Sequence, residues 1–171
     1  EGGWFDANLI RFKNGRVQKI GGWAKDTLAT YVGKARALHA WVSVEGTKYL
    51  GVGTTFKYYV KQGTNFDDVT PIRKTSTNSI TFAATDGSST ITATDSSHGA
   101  VVNDFVTISG AVSLGGLITA TVLNQEYQIV TTPTVNTYTF VAKDTDGNTV
   151  TANSDDINNG GSGVDGAYQI N

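Results

Sequence analysis

Short stretches of alternating polar and apolar residues, separated by tight-turn signals, run through most of this 171-residue chain. Side chains that alternate in this way lie on opposite faces of a β-strand. The clearest case joins residues 8–13 to residues 16–20 through Asn14-Gly15, a dipeptide that favours the positive φ angles of a two-residue hairpin turn. No stretch shows convincing helical periodicity. The pattern predicts an all-β fold.

Residues 38–44, 47–52, 55–61 and 66–70 predict four consecutive short strands joined by tight turns. Antiparallel strands of this kind resemble one blade of a β-propeller. Because one blade cannot bury both of its faces, a propeller requires several further blades. This chain is too short to hold them.

Composition changes at the polar residues 75–79. Residues 1–75 contain twelve of the 13 Lys and Arg residues and six of the 15 acids, a net charge of +6. Residues 76–171 contain nine acids and one basic residue, Lys143, a net charge of −8. We therefore predict two domains, a basic, aromatic-rich segment at 1–75 and an acidic, Thr/Ser-rich unit at 76–171. In the second unit, a small β-sandwich or barrel is predicted from strand-like stretches at 80–84, 90–94, 105–109, 127–131, 137–142, 149–151 and 167–170.

Residues suited to catalysis are scarce, since the chain has no cysteine and two histidines. His39 alternates with apolar neighbours in a predicted strand, which predicts a structural or surface role, and His98 precedes Gly99 in a turn, which predicts a structural role. A hydrolase would need two carboxylates facing one cleft. The adjacent Asp67 and Asp68 point to opposite faces of a strand. We expect no catalytic residue and no cofactor.

Residues 144–148 resemble the start of a calcium-binding loop. An EF-hand has glycine at its sixth position and a bidentate Glu at its twelfth, whereas here Gly147 is fourth and the twelfth residue is Asp155. We predict a hairpin turn and no metal site. A weak cation site remains an alternative for the acids Asp155, Asp156 and Asp165.

Basic residues cluster in the first hairpin, where candidate DNA-facing side chains are Arg11, Lys13, Arg16 and Lys19. When Lys and Arg contact DNA phosphates, they release the counterions bound to the DNA, and this release favours binding. An ordinary solvated strand face is the alternative, because charged strand edges also prevent aggregation. The tryptophans are candidate interface residues, since aromatic side chains are enriched in interface cores. These are Trp4, Trp23 and Trp41.

Several short motifs occur in an order that resembles the tail hub or nozzle (packaged-DNA stabilisation) proteins of short-tailed bacteriophages. In the first part they are residues 4–12, 14–16, 19–23, 37–41, 49–54 and 68–71. In the second part, residues 98–111 and 123–129 are similar to small β-domains inserted in such phage proteins. The resemblance covers most of the chain and includes no catalytic motif.

The resemblance implies a non-enzymatic structural protein of the virion, located in the phage tail. Such proteins contain β-propellers and form a homo-oligomeric ring, which the resemblance implies to be a hexamer. The ring lies beneath the portal and adaptor and contacts other tail proteins. It also contacts double-stranded DNA, which it retains or conducts. Family members are several times longer, so we expect this chain to be an N-terminal portion. It has no run of apolar residues long enough to span a membrane. The alternative is a peripheral binding or decoration module, in which the Thr/Ser/Asn-rich unit at 76–171 recognises a host-surface glycan or a virion partner. Exposed Tyr or Trp beside Asp and Asn in a groove would favour this alternative.

Overall fold

The computed structural model describes residues 10–21, 24–154, 156 and 158–170. Its first element is the predicted hairpin, in which β1 (Ile10–Lys13) pairs antiparallel with β2 (Arg16–Lys19). Asn14 and Gly15 have φ angles of 50° and 71°, as the two central positions of such a turn require. The hairpin prediction is confirmed.

Four consecutive strands then form an antiparallel meander, in the spatial order β3-β4-β5-β6. These are β3 (Ala35–Val42), β4 (Lys48–Thr54), β5 (Tyr58–Gln62) and β6 (Asn65–Asp68). One face packs under residues 24–34: the Tyr31 ring lies 6.0 Å from that of Tyr59 and 5.0 Å from that of Phe66, and the Val32 amide donates to the Tyr59 hydroxyl at 3.1 Å. The four predicted strands are confirmed, while the propeller stays a prediction.

The remaining strands form two four-stranded antiparallel sheets. One has the order β11-β10-β14-β7, and the other has the order β12-β13-β9-β8. Their ranges are β7 (Ile72–Ser76), β8 (Thr81–Ala84), β9 (Thr90–Thr94), β10 (Phe105–Ser109), β11 (Glu126–Gln128), β12 (Thr131–Thr134), β13 (Thr137–Val141) and β14 (Asp165–Gln169).

Side chains from both sheets meet in one buried cluster. Ile91 and Phe140 come from the second sheet, and Val106, Ile108 and Tyr168 from the first. The unit is therefore a β-sandwich, and the described strands form no closed barrel. The all-β prediction is confirmed.

Two details of the sandwich differ from the expected strands. Residues 149–151 contribute only an isolated bridge, Lys143 to Thr149, and no named strand. A single helical turn, α1 (Ala120–Leu123), is capped by the Thr119 hydroxyl, which accepts from the Val122 amide. One turn is too short to produce a visible 3.6-residue period.

β7 crosses the expected boundary between residues 75 and 76, and pairs with β14. The division of the chain into 1–75 and 76–171 stays a prediction. In the described part of the chain, no helix is long and apolar enough to cross a membrane.

Candidate functional site

The meander presents one uncovered face, opposite the face that packs under residues 24–34. The strand register places Trp41 beside Tyr49, His39 beside Gly51 and Val60, and Ala37 beside Gly53 and Tyr58. We call this the aromatic face, defined by Ala37, His39, Trp41, Tyr49, Gly51, Gly53, Tyr58 and Val60.

Three rings on the aromatic face are stacked. Trp41 lies between His39, at 5.9 Å and 22°, and Tyr49, at 5.4 Å and 18°. A Cβ atom on Gly51 would come 3.2 Å from the Trp41 ring, so glycine lets the indole lie close to the sheet. Trp41 is nevertheless 38% exposed and Tyr58 is 52% exposed. The stack holds a large aromatic surface in place without covering it.

The two glycines also leave a groove in this face. It has a volume of about 330 Å³, and its floor is formed at Gly51 and Gly53. Tyr58, Val60 and Val69 line it, so its walls are mostly apolar. A rigid, exposed apolar surface next to a groove is typical of a site that buries a partner's side chain or ring.

The first hairpin carries a second candidate surface. Cross-strand pairs Arg11 with Gln18 and Lys13 with Arg16 place three of the four predicted basic residues on one face, whereas Lys19 pairs with Ile10 on the other. The Arg11 Nε donates to the Gln18 Oε1 at 3.3 Å. We call Arg11, Lys13 and Arg16 the basic face.

Lys13 and Arg16 are directly opposed beside the turn, an arrangement that disfavours strand pairing unless an anion offsets it. They line a cleft of about 490 Å³ with Asn14 and Gln18. None of the four ion pairs among the described residues includes the basic face. The geometry can receive a phosphate group.

A buried lysine joins the meander to the sandwich. Lys57 is 2% exposed, and its Nζ lies 2.7 Å from the Asp68 Oδ2 and 2.5 Å from the Glu126 Oε1, above the Phe105 ring at 4.5 Å. Burial by itself would lower the pKa of Lys57, but the hydrogen bonds and charges of the two carboxylates outweigh it and raise that pKa above its ordinary value.

Asp68 shows the complementary shift. Burial would raise its pKa, but the ammonium group of Lys57 and the hydrogen bonds from Thr70 outweigh this and lower the pKa below its ordinary value. The Gln169 Nε2 also donates to the Asp68 Oδ2 at 3.2 Å. This ion cluster therefore fixes β6 against β11 and β14, and its role is structural.

A second buried carboxylate organises the sandwich core. Asp95 is 2% exposed and accepts from Ser76 Oγ at 2.6 Å, Ser79 Oγ at 3.1 Å and the Tyr168 hydroxyl at 2.6 Å. The Tyr168 hydroxyl lies 3.4 Å from that of Tyr138, and burial raises the pKa of both phenols.

His98 packs against this cluster, with its ring 5.3 Å from Tyr138 and 6.3 Å from Tyr168. Its Nδ1 accepts from the Ala100 amide at 3.0 Å, and its buried Nε2 has no hydrogen-bond partner among the described residues. His98 therefore lies in the core, where it supports packing. By contrast, His39 lies on the aromatic face.

The calcium-like residues 144–148 form the expected hairpin turn. The Asp144 Oδ1 accepts hydrogen bonds from the amides of Asp146 at 3.0 Å and Asn148 at 2.8 Å. The described residues contain no group of three or more possible metal ligands, and Asp155 lies outside them. Trp4 and Trp23 also lie outside the described residues.

A cleft of about 670 Å³ lies between residues 97–100 and 132–135 of the sandwich. The described residues that line it include no Trp, Tyr or Phe. It therefore offers no Trp, Tyr or Phe ring on which a sugar could stack, and the His98 ring in its lining is 1% exposed, whereas the aromatic face has such rings.

Comparisons with known proteins add little to this picture. No protein family model matches the chain, and no curated protein matches it. Among solved structures, the chain is similar to a phage phi92 endosialidase with a TM-score of 0.44 and 14% identity, over 90% of this chain and 21% of that chain. A likeness this weak carries no argument about function.

Proposed function

We propose that this chain is a non-enzymatic structural component of a phage tail, of the hub or nozzle type, and that it works by assembling with neighbouring subunits. The resemblance of its short motifs to that family supports the proposal. The observation that carries it is the aromatic face, a rigid apolar surface that the rest of the described chain leaves uncovered. In a homo-oligomer beneath the portal and adaptor, this face would be buried against a neighbouring blade or subunit.

The aromatic face has the composition expected of an interface core. Trp and Tyr supply large contact areas with few rotatable bonds, and they dominate binding energy where they fill a partner's pocket. Here the stack of His39, Trp41 and Tyr49 fixes the indole before any partner binds. Docking therefore requires little further ordering of side chains.

Replacing Trp41 with alanine is expected to reduce incorporation of the protein into phage particles by about 30-fold, the effect of losing roughly 2 kcal/mol at an interface hot spot. The measurement is quantitative mass spectrometry of purified particles from a phage that lacks its own copy and is complemented by the variant. Val44→Ala, at a fully exposed residue outside the aromatic face, is the matched control.

Tyr58→Ala serves as a second variant, because Tyr58 is exposed and does not belong to the ring stack. Because Tyr58→Ala leaves the ring stack intact, reduced incorporation of this variant indicates lost docking and not misfolding. We expect Tyr58→Ala to reduce incorporation too. Normal incorporation of both variants would contradict the role of the aromatic face.

The basic face is the candidate DNA contact within this proposed role. Exchanging Lys13 and Arg16 together for glutamine is expected to reduce by roughly two the slope of log affinity for duplex DNA against log salt, because each phosphate contact contributes about one unit. Fluorescence anisotropy with a labelled duplex over a range of salt concentrations measures that slope.

The matched control is the double exchange of Lys25 and Lys48 for glutamine, which removes the same charge from two other exposed sites. It should leave the slope nearly unchanged. An equal reduction in both double variants, or no DNA binding by the parent chain at low salt, would contradict a DNA contact at the basic face.

A glycan-binding module is the second candidate function, favoured by one observation. Trp41 and Tyr58 are exposed on the same face as Asp67, which pairs with Val60 across β5 and β6. An exposed aromatic ring on the same face as a carboxylate suits a sugar, whose apolar face stacks while its hydroxyls bond to the acid. Glycan-array binding by the whole chain, abolished by Tyr58→Ala while particle incorporation stays normal, would favour this function over the first.

A further inference from the structure

β3 presents an open edge. All eight of its residues are exposed, and β4 is its one hydrogen-bonded neighbour among the described strands. Its opposite side therefore has a row of backbone N–H and C=O groups that no described strand satisfies. Such an edge is a template for pairing with another strand.

The other sheet edges are short or protected. At β6, which is four residues long and carries Asp67 and Asp68, the Thr27 hydroxyl donates to the adjacent Thr64 carbonyl. At β8, the Phe82 amide donates to the Asn159 carbonyl and the Ala84 amide to the Asp156 carboxylate. The remaining edges are protected by Pro133 in β12, by Arg73 and Lys74 in β7, and by the three-residue length of β11. In the first hairpin, β1 and β2 are each four residues long and each carries two basic residues.

β3 lacks these protective features. It is the longest described strand, it contains neither proline nor an acidic residue, and its one formal charge is Arg36. Arg36 occupies an irregularity in the pairing with β4, so the regular stretch from Ala37 to Val42 is uncharged when His39 is neutral. Pairing this stretch with its own copy places no formal charges opposite one another.

We propose that β3 pairs antiparallel with β3 of a second copy of this chain, across a two-fold axis normal to the sheet. The two meanders then form one continuous sheet, and their aromatic faces join on one side. This inference goes beyond the proposed function and does not depend on it. We take the partner strand to be β3 of a second copy, because β3 is the long unprotected edge among the described strands and every copy in solution presents it.

The symmetry makes the pairing testable residue by residue. With the axis normal to the sheet, one residue near the middle of β3 must face its own copy, and the candidates are Leu38, His39 and Ala40. Cβ atoms of directly opposed residues lie about 4.5–5.5 Å apart, close to the separation that a disulfide requires. Since the chain has no cysteine, a single introduced cysteine reports only on itself.

The experiment compares the full-length variants Leu38→Cys, His39→Cys and Ala40→Cys with Val135→Cys, which is 75% exposed at the tip of a sandwich hairpin. Under mild oxidation, one of the three β3 variants should form the disulfide dimer at least about tenfold faster than Val135→Cys, because its sulfurs are held opposite each other. Sedimentation equilibrium of the cysteine-free chain should show a monomer–dimer equilibrium.

Ala40→Lys supplies the second readout. It places a charge at the open edge, so it should shift the equilibrium to monomer, whereas Val135→Lys should not. A cysteine-free chain that stays monomeric at its solubility limit would overturn the proposal. A dimer that forms without faster cross-linking at any β3 position would also overturn it, because another surface would then hold the two copies.

Discussion

Asp95→Ala is expected to lower the free energy of unfolding by about 4 kcal/mol, the largest effect of any single change considered for this protein. The carboxylate accepts hydrogen bonds from Ser76, Ser79 and Tyr168 at a site that is 2% exposed. Alanine leaves the buried hydroxyl groups of Ser76 and Tyr168 without their acceptor, whereas the hydroxyl of the exposed Ser79 can bond to water instead. Each such loss typically costs about 1–3 kcal/mol.

Urea denaturation followed by tryptophan fluorescence and circular dichroism measures this effect. Tyr168→Phe is the graded comparison, because it removes one of the three donors and leaves the other two in place. It should cost about 1–2 kcal/mol. A loss below about 1 kcal/mol for Asp95→Ala would show that the cluster does not hold the two sheets together.

Lys57→Met is expected to lower the free energy of unfolding by about 2–4 kcal/mol, because it leaves Asp68 and Glu126 without their shared cation. Methionine keeps much of the apolar contact with Phe105. Both carboxylates retain partial access to water, so the decrease in the free energy of unfolding should lie at the lower end of the range for a fully buried ion pair. Lys48→Met, at an exposed residue of β4, is the matched control and should change stability by less than about 0.5 kcal/mol.

The effect of Lys57→Met should depend on pH. The native pKa of Asp68 is lowered, so its contribution is present above the ordinary carboxyl pKa, about 4, and is lost as pH falls through the native value. The native pKa of Lys57 is raised, so its contribution is present below about pH 10 and is lost as pH rises through the native value. The difference in stability between parent and variant should therefore be largest near neutral pH and shrink below about pH 4. A difference that stays constant from neutral to acidic pH would contradict the ion cluster.

The local features of this fold were predictable from the sequence, because each depends on neighbouring residues. Asn14-Gly15 determines the turn of the first hairpin, and closely spaced turns determine the meander. The two-residue turn also sets the register of the hairpin. That register pairs Ile10 with Lys19, so sequence reasoning could have placed Lys19 away from the other three basic residues.

The features that depend on distant residues were not predictable. Glu126 lies 69 residues from Lys57, and Tyr168 lies 73 residues from Asp95. No local sequence pattern distinguishes Lys57 or Asp95 from charged residues that are exposed to solvent. The aromatic face is an intermediate case: alternation places His39 and Trp41 on one side of β3, but the contribution of Tyr49 and Gly51 required the register between β3 and β4.

Cryo-electron microscopy of the native particle, with mass spectrometry of its components, tests the central claim most directly. The account predicts that this sequence occurs in several copies on the tail axis, beneath the portal, with the face that carries Trp41 and Tyr58 buried against a neighbouring subunit. Absence of the sequence from purified particles, or its location at the tip of a peripheral appendage with that face open to solvent, would contradict the account.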